Sequence, residues 1–109
     1  MSIRKAIIQQ IELLSNPSDQ VQYEKDVPIP NVPAELICVF CDDLYHPKSD
    51  ALQSQFTQEE LEGLERLFRV LDEAAKIEVS GVRELILTRE WQNVISVSRE
   101  LNSYYAKHA

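Results

Sequence analysis

Glycine is scarce in this sequence, with two residues in a chain of 109. Loops that cradle nucleotide phosphates depend on glycine because the backbone must come close to the phosphate. The chain also lacks the patterns G-x-x-x-x-G-K-[ST], G-x-G-x-x-G and H-E-x-x-H and the calcium-loop motif. We therefore expect no nucleotide cofactor, and the sequence favours a non-enzymatic function.

Cysteine is equally scarce, and its two copies lie three residues apart as Cys38 and Cys41. One pair cannot supply the disulfide framework of a small secreted domain, and no βαβ context supports a redox C-x-x-C motif. Cys38, Cys41 and His46 match three ligands of a zinc knuckle, but Ala51 occupies the fourth position and tetrahedral structural zinc needs four ligands. The pattern predicts two helical core cysteines and no metal.

Basic residues are in the minority: 11 Lys and Arg stand against 18 Asp and Glu, for a net charge of -7. This charge would repel nucleic acid and favours a basic partner, although acidity can also serve solubility alone. No apolar run approaches the length of about 18 residues that a membrane span needs, and the N-terminus has no apolar signal core. The expected location is the cytoplasm, away from membranes.

What the chain does contain is apolar residues at three- and four-residue spacing, the period of amphipathic helices. We predict one all-α domain over residues 1–109, an irregular bundle of four main helices with one or two short ones. The main helices are expected at residues 2–14, 33–45, 57–76 and 88–105. Between them, Ser18 caps a short turn, residues 27–33 are extended and packed by Val27, Ile29 and Val32, residues 48–55 form a polar loop, and residues 82–87 form a short helix or a crossover.

The clearest helix start lies at Thr57, because Thr57 and Glu60 have the spacing of a capping box. The helix that follows shows a stripe of Leu61, Leu64, Phe68, Leu71 and Ala75. Three of its acidic residues, Glu62, Glu65 and Asp72, have a cationic residue four positions later. The predicted core consists of Leu36, Ile37, Phe40, Leu64, Phe68, Leu71, Trp91 and Ile95.

Asp42 and Asp43 break a local rule, since two negative charges lie in the last turns of a predicted helix, where the carbonyl ends are already negative. Residues retained against their own helix are candidates for function. Tyr45 and His46 follow directly and are types common at interfaces. We therefore predict a partner-binding surface of Asp42, Asp43, Tyr45 and His46, with Glu59 across the loop.

His46 also allows an enzymatic hypothesis, in which Asp42 or Asp43 orients it as the base of a hydrolase. No G-x-S-x-G pattern accompanies it to present a nucleophilic serine. A histidine that ends a helix and interacts with the helix dipole is the simpler interpretation.

Several segments together resemble small acidic bacterial immunity proteins of contact-dependent growth inhibition and other polymorphic toxin systems. They are Glu24-Lys25-Asp26-Val27-Pro28, Val32-Pro33-Ala34-Glu35-Leu36, Asp42-Asp43-Leu44-Tyr45-His46-Pro47, Phe56-Thr57-Gln58-Glu59-Glu60-Leu61 and Glu90-Trp91. The resemblance implies a cytoplasmic protein that binds and neutralises the C-terminal domain of a toxin, often a nuclease, without a cofactor. The alternative is an acidic adaptor or regulatory domain that binds another protein or itself.

Overall fold

The computed structural model describes residues 2–107, with side chains from 2 to 106, and this part of the chain is helical without strands. The all-α prediction is therefore confirmed. No helix within these residues combines the length and apolarity needed to cross a bilayer. The elements in order are α1 (Ile3–Leu14), α2 (Pro17–Asp26), α3 (Val32–Cys38), a π-helical turn (Val39–Leu44), α4 (Asp50–Gln55), α5 (Gln58–Ala74), α6 (Val82–Ile86) and α7 (Arg89–Lys107).

Polar side chains begin most of these helices by accepting a hydrogen bond from a backbone N–H in the first turn. At Thr57 the predicted capping box is present: the Thr57 hydroxyl accepts from the Glu60 N–H at 3.2 Å, and Glu60 Oε1 accepts from the Thr57 N–H at 2.8 Å. Thr88 caps α7 through the Trp91 N–H, as predicted. The other side-chain caps are Ser2, Asn16, Asn31 and Ser49.

The short elements differ from the prediction. The helix expected to start at Ser18 is capped by Asn16, has Pro17 in its first turn and extends for ten residues. The expected polar loop contains α4, which Ser49 caps by accepting from the Leu52 N–H. Residues 82–86 form a helix, one of the two alternatives predicted there, and the short helices of the described residues are α2, α4 and α6. The connector is shorter than predicted, because Val32 and Pro33 already belong to α3, and Ile29 is exposed in it.

One continuous core lies between α1, α5 and α7, with α7 packed along both of the others. Every predicted core residue is buried except Phe68, which is only partly buried. The buried face of α5 comprises Glu60, Leu64, Leu67, Leu71 and Ala74, so the predicted stripe was wrong at Leu61, Phe68 and Ala75. The face of α5 that carries Leu61 and Phe68 is consequently free to line a surface site.

Gln20 is a buried polar residue that fixes α2 against the core. Its Nε2 donates to the carbonyls of Leu13 and Leu14 at 3.0 Å, and its Oε1 accepts from Trp91 Nε1 at 2.8 Å. Every polar atom of this amide therefore has a partner, as burial requires. The contact joins residues 71 positions apart, which local sequence patterns cannot indicate.

Candidate protein-binding groove

The predicted helix through residue 45 changes geometry at Val39, where six residues form a π-helical turn. The Tyr45 N–H donates to the Phe40 carbonyl at 2.8 Å, a bond that spans five residues instead of four. This register places Phe40 and Tyr45 on one side, and their rings stack with centroids 5.3 Å apart and planes 9° apart. π-helical turns are rare and often mark functional sites.

Four of the predicted binding residues lie together at this turn. Asp42, Asp43 and His46 are exposed, whereas Tyr45 is only 8% exposed. Within residues 2–106, neither aspartate forms an ion pair. The turn therefore presents two uncompensated carboxylates beside a buried aromatic ring.

The remaining candidate, Glu59, is directed elsewhere. Its carboxylate accepts a hydrogen bond from Tyr104 Oη at 3.0 Å, at the start of α5 beside α7. His46, for its part, has no side-chain hydrogen bond to Asp42 or Asp43 in the described part of the chain, so the orienting contact of the hydrolase hypothesis is not formed there.

A groove of about 840 Å³ opens between the turn and the outer face of α5. It contains Tyr45 from the predicted surface and Cys41 from the π-helical turn, while the other lining residues come from α4, α5 and the adjoining loops. The lining residues are Cys41, Tyr45, Pro47, Gln53, Phe56, Gln58, Leu61, Glu62, Glu65 and Phe68.

Tyr45 and Phe68 form the floor of this groove, with ring centroids 5.4 Å apart. Sequence reasoning missed Phe68 and Leu61 as site residues because it assigned both to the buried stripe of α5. The signal that could have separated them is Leu67, which completes a buried stripe with Leu64 and Leu71 without needing either. Burial raises the pKa of the Tyr45 phenol, and the nearby Glu65 adds to the increase.

The excess of negative charge lies in the part of the sequence that contributes the groove lining. Residues 35–78, which include every lining residue, contain eleven acidic and four basic side chains; the rest of the chain has seven of each. The net charge of -7 therefore arises entirely from this acidic segment. Of the two carboxylates that line the groove, Glu65 pairs with Arg69 at 3.0 Å, whereas Glu62 has no ion pair among the described residues.

No protein-family model, curated protein or solved structure matches the chain. We therefore infer its function from the groove, the charge distribution and the sequence patterns.

The two cysteines beside the groove are free thiols. Cys38 is exposed and Cys41 partly buried, so the prediction of core cysteines was wrong. Burial, aided by the charges of Asp42 and Asp72, raises the pKa of Cys41 to about 12. Partial desolvation and the neighbouring Asp42 carboxylate also raise the pKa of Cys38. Both thiols are therefore protonated at neutral pH, and residues 2–107 contain no cluster of His, Cys, Asp and Glu suited to a metal ion.

Proposed function

We propose that this protein is a bacterial immunity protein that binds a toxin domain in the cytoplasm and neutralises it by forming a stoichiometric complex. The observation that carries the proposal is the confinement of the whole acidic excess to residues 35–78, the segment that builds an open aromatic groove. A surface with an apolar centre and a charged surround is typical of a protein interface. Its sign selects a basic partner.

The sequence resemblance supports the same surface. Two of the segments that resemble immunity proteins border the groove: Asp42–Pro47 contributes two lining residues, and Phe56–Leu61 contributes three. Another such segment has a structural role instead, because the Glu24 carboxylate accepts from the Val82 N–H at 3.0 Å and holds the start of α6. The family-like patterns thus divide between fold and groove.

The retention of Asp42 and Asp43 fits this function. They oppose the carbonyl end of their own helix and have no ion pair within residues 2–106, so the isolated protein gains little from them. Both aspartates would accelerate the association of a basic toxin domain. Where their contacts are buried, they would also lengthen the lifetime of the complex.

The test combines capture with protection from toxicity. The tagged protein should capture the product of the neighbouring gene, and expressing that product alone should arrest growth unless this protein is present. The variant Asp42→Asn/Asp43→Asn should weaken the complex about tenfold, with a steeper loss at low salt. Its matched control, Asp19→Asn/Glu90→Gln, removes the same charge outside the acidic segment and should change affinity less than about twofold.

A neighbouring product that is not toxic, or whose toxicity persists despite a formed complex, would refute the immunity function. A captured regulatory protein with no effect on growth would instead support the adaptor alternative.

A further inference from the structure

We infer that the groove receives an amphipathic basic segment of the partner protein, with an apolar side chain on the aromatic floor and arginines at the rim. The inference rests on the proposed function and adds the chemistry of the segment that the toxin would present. Three features of the groove carry it: an incompletely buried apolar floor, an exposed polar rim and a precedent within the fold.

The floor is apolar and incompletely covered. Leu61 and Phe68 are half-buried on α5, and Tyr45 supports Phe68 from below through its stack on Phe40. The Tyr45 hydroxyl has no hydrogen bond within residues 2–106, which leaves a donor at the floor. Rigid aromatic rings that an apolar side chain can cover are typical anchor sites of protein interfaces.

The polar residues at the rim favour a protein segment over a small molecule as the occupant of the groove. The amide and carboxylate lining residues, Gln53, Gln58, Glu62 and Glu65, are all exposed. A small-molecule site usually places a few polar groups inside an enclosed cavity, where they fix the orientation of the ligand. Exposed polar groups around an apolar centre instead match the rim and core of a protein interface.

The fold already holds one guanidinium in the way we infer for the partner. Arg4 lies over the Phe56 ring, 4.9 Å from its centroid, while donating to both carboxylate oxygens of Glu60. Phe56 also borders the groove, where Glu62 lies on the rim. Arginine suits this combination better than lysine because its planar group stacks on aromatic rings and binds carboxylates in a bidentate manner.

Arg69 gives the inference a directional test. It pairs with Glu65 on the groove face of α5, and its charge acts on Tyr45. A cation of the partner must therefore compete with it. Removing Arg69 should strengthen binding of a basic segment, whereas removing Glu62 should weaken it.

The probe is a synthetic amphipathic helix of leucine and arginine, about 14 residues long and fluorescently labelled, in about 0.15 M NaCl, where charges beyond roughly 8 Å are screened. Its comparison peptides carry glutamate for arginine, or the same residues in scrambled order. We expect the scrambled peptide to bind at least about fivefold more weakly and the glutamate peptide at least about tenfold more weakly. Amide chemical shifts should change at residues 41–68.

The variants refine this result. Glu62→Gln should lower affinity for the leucine and arginine peptide about threefold, and Arg69→Gln should raise it by a similar factor. Leu61→Ser should lower affinity for this peptide about tenfold, because it removes apolar contact area from the groove floor. The control Asp19→Asn, which makes the same charge change as Glu62→Gln outside the acidic segment, should leave it unchanged.

Equal binding of the scrambled peptide, equal effects of Glu62→Gln and Asp19→Asn, or shift changes outside the groove would overturn the inference. So would reversible dimerisation that Leu61→Ser abolishes, because the occupant would then be a second copy. The toxin assay separates the two proposals: neutralisation that survives Leu61→Ser would refute only the groove occupant, and peptide binding without a toxic partner would refute only the immunity function.

Discussion

At the scale of single residues, the pair of Arg4 and Glu60 is the most deeply placed charge contact of the described structure. The Glu60 side chain is 3% exposed and that of Arg4 is 24% exposed, with the closest N–O distance 2.8 Å. Tyr105 Oη also donates to the Glu60 carbonyl at 3.4 Å. Hydrogen bonding from Arg4, supported by the Thr57 backbone, holds the pKa of Glu60 below its ordinary value. The pair joins α1, α5 and α7.

Removing Arg4 should therefore leave an uncompensated buried carboxylate. We expect Arg4→Met to lower the free energy of unfolding by about 3 kcal/mol, near the lower end for broken buried pairs because Arg4 is partly exposed. The matched control is Arg66→Met, whose pair with Glu100 is exposed on both sides and should cost below about 1 kcal/mol. Urea denaturation at neutral pH measures both, and equal losses would contradict the role of burial.

The same pair predicts a dependence on pH. Because the folded pKa of Glu60 is depressed, its contribution is complete above the ordinary value of 4.5 and is lost as the pH falls through the folded pKa. The stability of the wild-type protein should decline on acidification below about pH 5, more steeply than that of Arg4→Met. Parallel profiles from denaturation at several pH values would count against this assignment.

The cysteines yield a second prediction at this scale. With the pKa of Cys41 raised to about 12, its thiolate is negligible at neutral pH, and Cys38 is the more exposed thiol. We expect Ellman's reagent near pH 7.5 to label Cys38 first and Cys41 mainly after unfolding. Asp42→Asn should accelerate labelling of Cys38 several-fold, because it removes a charge that disfavours the thiolate. Labelling of both cysteines at the rate of the unfolded chain would refute this predicted difference in reactivity.

At the scale of helices, α5 shows why the sequence predicted the element but misplaced its buried face. Periodicity and the capping box located the helix within two residues of each end. The prediction placed the apolar Leu61 and Phe68 in the buried stripe and gave Glu60 a role only in the capping box. In the structure Glu60 is buried and pairs with Arg4, which lies 56 residues away in sequence. Local patterns contain no information about such a partner; the one local signal was Leu67, which completes the buried stripe with Leu64 and Leu71.

The π-helical turn was beyond prediction for a related reason. In an α-helix Leu44 would follow Phe40 on the same side, whereas the five-residue register puts Tyr45 there and leaves Leu44 half-buried. This choice depends on the stack of Tyr45 between Phe40 and Phe68, the last of which belongs to α5. The sequence did indicate the importance of Asp42, Asp43 and Tyr45, but not the geometry that assembles them.

The close packing of α5 on α7 supplies a prediction for a helix pair. A Cβ added at Gly63 would lie 2.5 Å from Leu101 Cδ2, and Leu101 is buried. Overpacking costs about 1 to 3 kcal/mol, of which the helix propensity of alanine restores about 1 kcal/mol. We expect Gly63→Ala to destabilise the protein by about 1 kcal/mol.

The compensating variant Leu101→Val tests the cause. In the Gly63→Ala background it should cost less than in the wild type, with a coupling free energy of at least about 0.5 kcal/mol in urea denaturation. Additive effects of the two substitutions would show that the packing of these two residues is not responsible.

At the scale of the whole molecule, composition alone predicted an acidic protein suited to a basic partner, but not where the charge lies. The sequence contains the uneven distribution, since residues 35–78 hold the entire excess. Its meaning depends on the fold, which places the groove lining within this segment. Like charges that lie close together repel one another and destabilise the folded state. This repulsion is stronger at low salt, where screening is weaker.

The melting temperature of the wild-type protein should therefore rise between about 0.01 and 0.2 M NaCl. Asp42→Asn/Asp43→Asn should melt roughly 2 to 5 °C higher than the wild type at low salt and show a weaker dependence on salt, because both aspartates also oppose the negative end of their helix. The control Asp19→Asn/Glu90→Gln makes the same change of charge in the first turns of α2 and α7, where carboxylates stabilise the helix, and its melting temperature should be lower or unchanged.

A lower melting temperature for Asp42→Asn/Asp43→Asn would mean that the aspartates stabilise the fold. Unchanged affinity of that variant for the toxin would mean that the aspartates are not part of the binding surface. Higher stability together with weaker binding is the outcome that distinguishes residues retained for a partner from residues retained for the fold.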